Sequence, residues 1–80
     1  GANLYRANLF DATLSCANLE GADLTSADLS CAYLPGANLA SADLSYTNLS
    51  SATLHRVDLS GATLTRAIMP DGWRDIVGAY

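Results

Sequence analysis

The chain has 80 residues and a net charge of −4 at pH 7; half of its residues are apolar, but only 8% are aromatic and 15% charged. This length allows one domain, and an apolar content made mostly of Ala and Leu is typical of a narrow, repeated core. The acidic balance argues against non-specific binding to nucleic-acid phosphates, and no apolar run reaches the roughly 18 residues of a membrane span.

A five-residue repeat fills the chain from Gly1 to Met69. A leucine occupies every fifth position from Leu4 to Leu64, and Met69 continues the series. The residue two positions earlier is Ala in every repeat except two, which hold Thr47 and Val57. The residue between them is usually Asn, Asp or Thr, so the unit is Ala-(Asn/Asp/Thr)-Leu followed by two variable residues.

A period of five fits neither a straight helix nor a straight strand. On an α-helix, successive leucines would be rotated by roughly 140° and no apolar face would form. On a strand, the Ala and Leu of one repeat share a side, but the next Ala falls on the opposite side. We therefore predict that each Ala-x-Leu is extended with Ala and Leu inward, and that the next two residues bend the chain. Such a chain closes into coils that stack at about 4.8 Å.

The repeat resembles the motif of the pentapeptide-repeat family, most plainly in the run ANLEGADL at residues 17–24, and the resemblance covers about residues 1–69. It implies an all-β solenoid: a right-handed quadrilateral β-helix with four pentapeptides to a coil and about three and a half coils. It also implies a bacterial, often cyanobacterial, protein of the cytoplasm. We divide the chain into a pentapeptide-repeat β-helix at residues 1–70 and a C-terminal capping helix or tail at residues 71–80.

The C-terminal segment follows a turn signal, Pro70-Asp71-Gly72. We predict a short helix that begins after this turn, with Asp71 as its N-cap and Trp73 as the main plug of the last coil. A helix that binds a partner is the alternative. The apolar residues of this predicted cap have the spacing of one helix face; they are Trp73, Ile76, Val77 and Tyr80.

The N-terminal end of the repeat has no comparable cover. Ala2, Leu4, Ala7 and Leu9 are expected to face either a preceding coil or another molecule, so self-association through this end is one expectation. Because the chain begins at Gly1, within the repeat and without an initiator methionine, we also expect a fragment of a longer polypeptide. Export is then not excluded, although two cysteines without a disulfide framework favour a reducing compartment.

Polar columns are the candidate chemistry of the repeat if residues 20 apart lie above one another. Asp23 above Asp43 is predicted either to raise the pKa of one carboxyl or to attract a cation, and the alternative is a solvated acidic ladder. The single histidine, His55, has no predicted cleft around it, so we predict no catalytic residue, metal or cofactor. The predicted acidic ladder consists of Asp23, Asp43, Asp28 and Asp58.

Exposed aromatic residues are the candidate interaction surface. Tyr46 and Arg66 are expected to stack as a cation–π pair, and Tyr5 and Phe10 lie beside the open end. We predict a non-enzymatic structural or protein-interaction domain with flat faces, and no direct contact with nucleic acid or membrane. The family resemblance suggests an alternative, a DNA-mimicking modulator of a type II topoisomerase such as gyrase. The predicted surface consists of Tyr5, Phe10, Tyr33 and Tyr46.

Overall fold

The computed structural model describes residues 1–80, which wind into a four-sided coil. Residues 20 apart form isolated parallel β-bridges, in ten successive pairs from Asn3 and Asp23 to Asn48 and Ile68. A turn separates each bridge residue from the next along the chain. One coil therefore contains four repeats and has four faces. In the first coil, faces 1 to 4 are residues 2–4, 7–9, 12–14 and 17–19, and later coils repeat them at intervals of 20.

Backbone hydrogen bonds join each coil to the next at three points in a repeat. The N–H of Asp23 donates to the C=O of Ala2 at 2.9 Å, and the C=O of Asp23 accepts from the N–H of Leu4 at 2.7 Å. At the neighbouring corner, the N–H of Arg6 donates to the C=O of Thr25 at 2.9 Å. The middle residue of every repeat thus directs both its N–H and its C=O toward the preceding coil.

The core is a column of leucines lined by alanines. The leucines of the second coil are fully buried, whereas those of the first coil are only half-buried. Alanine is small enough to let the four walls approach this column. The fully buried leucines are Leu24, Leu29, Leu34, Leu39, Leu44, Leu49, Leu54 and Leu59.

Thr47 and Val57 replace the inward alanine without opening the wall. Both are fully buried, and the inter-coil bonds made by the residues after them, Asn48 and Asp58, are 3.0 Å long. The wall therefore accommodates both β-branched side chains with its inter-coil hydrogen bonds intact. The hydroxyl of Thr47 donates a buried hydrogen bond of 2.8 Å to the C=O of Leu24 in the coil below, so the polar atom is satisfied in the core.

Each corner consists of two residues at the centre of a tight four-residue turn, and the second of these two, the third residue of the turn, has a positive φ. The N–H of Ala7 donates to the C=O of Leu4 at 3.0 Å, and Arg6 has a φ of 58°. A hydrogen-bonded turn with positive φ only at its third residue has the pattern of a type II turn. Positive φ recurs at every fifth residue from Arg6 to Arg66, and ten of these residues are not glycine.

The repeat ends where this phase slips by one residue. The next positive φ belongs to Gly72, at 71°, instead of Asp71. Helix α1 follows, Trp73–Ile76, with Gly72 as its N-cap and no side-chain capping bond. The prediction that Asp71 caps this helix is wrong, since the left-handed conformation there is taken by glycine.

The last residues return to face 4 as an extended segment. Ala79 forms a parallel bridge with Asp58, 21 residues earlier, and the N–H of Gly78 donates to the C=O of Val57 at 2.8 Å. Helix α1 is thus four residues long, and Tyr80 does not lie on it as its spacing suggested. No helix of the chain is both long and apolar enough to cross a membrane.

Aromatic packing holds the C-terminal segment together over the last coil. Trp73, Ile76 and Val77 are partly buried against the leucine core. The rings of Trp73 and Tyr80 meet edge to face with centroids 4.9 Å apart, and the guanidinium of Arg74 lies 5.2 Å from the first ring and 5.8 Å from the second. These contacts attach the C-terminal segment to the leucine core.

Candidate functional site

The outward Asn and Asp side chains bind the corners of their own repeats. In each case Oδ1 accepts a hydrogen bond of 2.9–3.2 Å from the N–H two residues later. That N–H has no backbone acceptor, which explains why a short polar side chain recurs at this position. The residues that bond in this way are Asn3, Asn8, Asn18, Asp23, Asp28, Asn38, Asp43, Asn48 and Asp58.

Three carboxylates of the acidic ladder receive a second hydrogen bond from serine. The hydroxyl of Ser45 donates to Asp43 at 2.6 Å, in addition to the bond from its N–H. These bonds stabilise the charged form and hold the pKa of Asp43 below its ordinary 3.8. The prediction that stacking on Asp23 raises a pKa is therefore wrong for Asp43.

The same arrangement lowers the pKa of Asp28, through the hydroxyl and N–H of Ser30, and the pKa of Asp58, through Ser60. The ladder does not gather a metal-binding set, because no three His, Cys, Asp or Glu side chains converge anywhere in the chain. The acidic columns act first as turn-forming elements, and their charge remains on the solvent-facing surface.

All four aromatic residues of the predicted interaction surface are more than half exposed. Tyr5 and Tyr46 share the corner between faces 1 and 2, in the first and third coils, while Phe10 lies at the next corner and Tyr33 in the middle of face 3. The structure thus places two of the four aromatic residues, Tyr5 and Tyr46, at the same corner.

Two arginines share the corner with these tyrosines; the sequence predicted that Tyr46 and Arg66 lie together, but not that Tyr5 and Arg6 lie at the same corner. Arg6, Tyr46 and Arg66 occupy the same position of this corner, in the first, third and fourth coils. The signal was the spacing of Arg6, Tyr46 and Arg66 in multiples of 20 residues, which is one coil of the quadrilateral helix that the family resemblance implied. We name Tyr5, Arg6, Tyr46 and Arg66 the Tyr–Arg edge. Within it the predicted cation–π pair of Tyr46 and Arg66 is wrong, since Arg74 is the arginine that lies over aromatic rings.

The surface has one shallow depression, of about 380 Å³, and it is not lined by His55. It lies where the repeat ends, and its side chains offer hydroxyls and one carboxyl but no base beside a nucleophile. His55 lies at a different corner and is exposed, as are the free thiols of Cys16 and Cys31. The depression is lined by Ser50, Ser51, Met69, Pro70 and Asp71.

Comparison with known proteins identifies the repeat. The sequence profile described as pentapeptide repeats (8 copies) matches residues 2–39 and 32–69. Among solved structures, the chain is similar to HetL, a pentapeptide repeat protein involved in heterocyst differentiation regulation from the cyanobacterium Nostoc sp. strain PCC 7120. The identity is 42% and the TM-score 0.84, and the match covers 98% of this chain and 33% of HetL. A search of curated proteins gave no match.

Two further solved structures are similar over nearly the whole chain. A pentapeptide repeat protein from the Arabidopsis thaliana thylakoid lumen is 32% identical with a TM-score of 0.86, covering 96% of this chain and 52% of that protein. Rfr23 from the cyanobacterium Cyanothece 51142 is 34% identical with a TM-score of 0.83, covering 96% of this chain and 48% of Rfr23. The chain thus spans between a third and about half of the length of these relatives.

Proposed function

The chain belongs to the pentapeptide-repeat family, whose solved members imply a right-handed quadrilateral β-helix, and we propose that it is a non-enzymatic interaction domain that binds a protein partner through its rigid surface. Family members are generally non-catalytic repeat proteins. In our assignment the repeat makes about three and a half coils, and residues 71–80 cap the last one.

One observation carries this proposal: outward side chains on one column are held at a fixed spacing by the backbone pairing beneath them. Inter-coil bonds such as Asn38 N–H to the C=O of Ala17, at 2.9 Å, recur on every face. A partner that matches such a column meets side chains that lose little conformational freedom on binding, because the backbone is already ordered. Recognition by a surface of this kind needs no cleft.

The Tyr–Arg edge is the part of the surface with the composition of a binding hot spot. Tyrosine and arginine are the residue types that contribute most at protein interfaces, and here two of each lie along one edge. The neighbouring face 1 holds the exposed carboxylates of Asp23 and Asp43. We therefore propose a partner surface that offers acidic or aromatic groups to the edge and basic groups to the face. The two free, exposed cysteines suit a cytoplasmic location.

Affinity enrichment with matched variants tests the proposal. Immobilised wild-type chain, the variant Tyr46→Ala with Arg66→Ala, and the control His55→Ala with Arg56→Ala are exposed to the same lysate of a cyanobacterium. The control changes an exposed aromatic ring and an arginine at a different corner. We expect one protein to be retained by wild type and control and to be lost from the edge variant. Equal retention of the partner by all three chains would refute binding through the Tyr–Arg edge. Binding of the purified partner to variants of the other faces would then show whether another face binds it.

The acidic ladder supports a second candidate, modulation of a type II topoisomerase by imitation of DNA charge. Asp23 and Asp43 lie one strand interval apart on face 1, Asp28 lies on the adjoining face 2, and the net charge of the chain is −4. A gyrase supercoiling assay with excess chain tests it, and the variant Asp23→Asn with Asp43→Asn is the control for charge. Supercoiling that is unchanged at all chain concentrations retires this candidate.

A further inference from the structure

The turn that ends the repeat contains the only Asp-Gly pair of the chain, Asp71-Gly72. Both residues are exposed, and the N–H of Gly72 donates to no backbone acceptor. Glycine has no Cβ beside this nitrogen, and it adopts the φ of 71° found here without steric cost. The carboxyl of Asp71 is therefore followed by a backbone nitrogen that is unhindered and free of hydrogen bonds to the backbone.

The fold occupies the corresponding nitrogen after every Asn and Asp of the repeat. The N–H of Leu24, which follows Asp23, donates to the C=O of Asp43 at 2.9 Å, and each of the other nitrogens also donates to a backbone carbonyl. Such a bond must open before its nitrogen can react. Asp75 lies within α1 and precedes a β-branched isoleucine, which crowds the next nitrogen. Asp71 is thus the one carboxyl that is followed by an accessible nitrogen.

The carboxyl of Asp71 is also free to turn toward this nitrogen. In the acidic ladder, Oδ1 of Asp43 is held by the N–H and the hydroxyl of Ser45, two residues later. Asp71 accepts no such bond, because the N–H two residues later, that of Trp73, donates to the C=O of Pro70 at 3.3 Å. Asp71 instead lines the shallow depression at the end of the repeat, which is open to solvent.

We propose that Asp71-Gly72 is a site of spontaneous covalent modification, at which Asp71 becomes isoaspartate. The nitrogen of Gly72 attacks Cγ of Asp71 and forms an N–Cγ bond, while the hydroxyl of the protonated carboxyl leaves with the amide proton as water, which closes a succinimide ring. Solvent water then adds to the main-chain carbonyl carbon of residue 71 and breaks the bond from that carbon to the nitrogen. The backbone afterwards runs through Cβ and Cγ, and the former main-chain carbonyl carbon carries the carboxylate.

Isoaspartate adds one atom to the backbone inside the turn that positions α1. The bond from the N–H of Trp73 to the C=O of Pro70 closes this turn, so the insertion lengthens the loop that the bond must span. The contacts beyond the turn are the partly buried Trp73 and the bond from the N–H of Arg56 to the C=O of Ile76 at 2.8 Å, and we expect both to lose their fit to the last coil. The modification therefore acts as a slow release of the C-terminal segment from the leucine core.

Peptide mapping after prolonged incubation tests the modification. The folded chain is held at neutral pH and physiological temperature for several weeks and is then digested with trypsin, which releases residues 67–74 as one peptide. Isoaspartate leaves the mass of this peptide unchanged but alters its retention in reversed-phase chromatography and its electron-transfer fragmentation. We expect isoaspartate in this peptide and at no aspartate of the repeat.

The variant Asp71→Glu is the matched control, because it keeps the charge but would have to close a less favourable, larger ring, and it should stay unmodified. Wild-type chain unfolded in urea is the reference, since none of its nitrogens is occupied by the fold. Absence of isoaspartate at residue 71 of the folded chain, at a time when the unfolded chain contains it, would overturn the proposal. Isoaspartate in the acidic ladder of the folded chain would contradict the protection by backbone bonds.

Fluorescence of Trp73, the only tryptophan of the chain, tests the structural consequence. The emission maximum of the incubated wild type should move to longer wavelength in proportion to its isoaspartate content, whereas Asp71→Glu incubated for the same time should show no shift. Unchanged emission at a high isoaspartate content would overturn the release of the segment. Asp71 lies outside the Tyr–Arg edge, so these outcomes are separate from the proposed function.

Discussion

Tyr33 occupies the position where most repeats hold an Asn or Asp, and Pro35, two residues later, has no N–H for such a side chain to bind. Ile68 and Pro70 repeat this relationship at the end of the solenoid. Pro35 and Pro70 are the only prolines of the chain. The outward residues two positions before them, Tyr33 and Ile68, are the only outward residues of the repeat that are not Asn, Asp or Thr. The outward residue is thus polar where its corner has a donor to satisfy, and free to be apolar where proline has removed the donor.

This relationship predicts a coupling between positions 33 and 35. Pro35→Ala should lower the free energy of unfolding by about 0.5–1 kcal/mol, because the unfolded chain gains freedom and the new N–H lacks a partner. In that background Tyr33→Asn should recover about 0.5–1 kcal/mol, by the bond that Asn38 makes to the N–H of Ala40 at 3.0 Å.

Urea unfolding of the two single variants and the double variant measures the coupling. Tyr33→Asn alone is the control, since its side chain finds no corner N–H to bind while Pro35 is present. Additive effects would contradict the relationship.

The buried hydroxyl of Thr47 should contribute measurably to stability. Thr47→Val keeps the shape but removes the bond to Leu24, and we expect a loss of about 1 kcal/mol in the free energy of unfolding. The loss stays moderate because the C=O of Leu24 still accepts from the N–H of Ala27 at 3.0 Å. Thr63→Val, at an exposed position, should change stability by less than about 0.5 kcal/mol. Equal effects at both positions would refute the assignment.

The left-handed corner residues predict that exchanging glycine and a non-glycine residue changes stability in opposite directions at two positions of one column. Gly21 has a φ of 66°, and an added Cβ would meet no atom within 4 Å, so Gly21→Ala tests conformation alone. We expect it to destabilise by about 1 kcal/mol. Ser41, in the same column at a φ of 59°, should gain about 0.5–1 kcal/mol on replacement by Gly. Thermal unfolding gives both signs, and a loss of stability for Ser41→Gly would contradict the account.

Acid should weaken the fold through the serine-bonded carboxylates. The pKa values of Asp28, Asp43 and Asp58 lie below their ordinary 3.8 in the folded chain. Their contribution is therefore fully present above pH about 4 and is lost as pH falls through the lowered folded values. Denaturant unfolding between pH 7 and pH 2 should show stability falling below pH 4.

Replacing all three aspartates with Asn provides the matched control for this pH dependence. Asn48 shows that an amide oxygen accepts both bonds, from the N–H of Ser50 at 3.0 Å and from its hydroxyl at 2.7 Å. The triple variant should thus keep its corners and lose less stability on acidification. An acid response identical to that of wild type would show that these carboxylates do not cause it.

Trp73 should stabilise the solenoid if the C-terminal segment is its cap. Trp73→Ala removes a ring that is partly buried on the core and packed on Tyr80, and we expect a loss of about 2 kcal/mol, less than for a fully buried ring. Tyr33→Ala, which truncates an exposed ring in mid-solenoid, is the control. Unchanged melting of the Trp73 variant would contradict the cap and favour a partner-binding role for α1.

The bend at every fifth residue and the inward Ala and Leu were predictable, since one residue spacing determines which side chains share a side. The spacing alone did not determine the number of faces, because a five-residue period fits a coil of any number of sides, and the value of four came from the family resemblance. The bond from Thr47 to Leu24 was missed because it joins neighbouring faces of two coils, 23 residues apart in sequence.

The C-terminal segment shows a different limit of sequence reasoning. The apolar spacing from Trp73 to Tyr80 matches a helix face, yet Ala79 pairs with Asp58 as an extended strand. The free edge of face 4 offers hydrogen bonds that the isolated segment cannot make, and this tertiary interaction overrides local helical preference. For the candidate site, the exposure of the aromatic residues and the column of Tyr46 and Arg66 were predictable, but the place of Tyr5 and Arg6 at the same corner was not recognised.

The shift of the positive φ from Asp71 to Gly72 shows that the solenoid depends on a strict spacing of five residues between corners. As long as each corner follows the last by five residues, a new coil can be added without any change of composition. One extra residue before Gly72 changes this spacing, so that the next corner becomes the start of α1 and the stack of coils ends. Lengthening such a protein should therefore succeed with whole multiples of five residues, and a single-residue insertion in mid-solenoid should act as a premature stop.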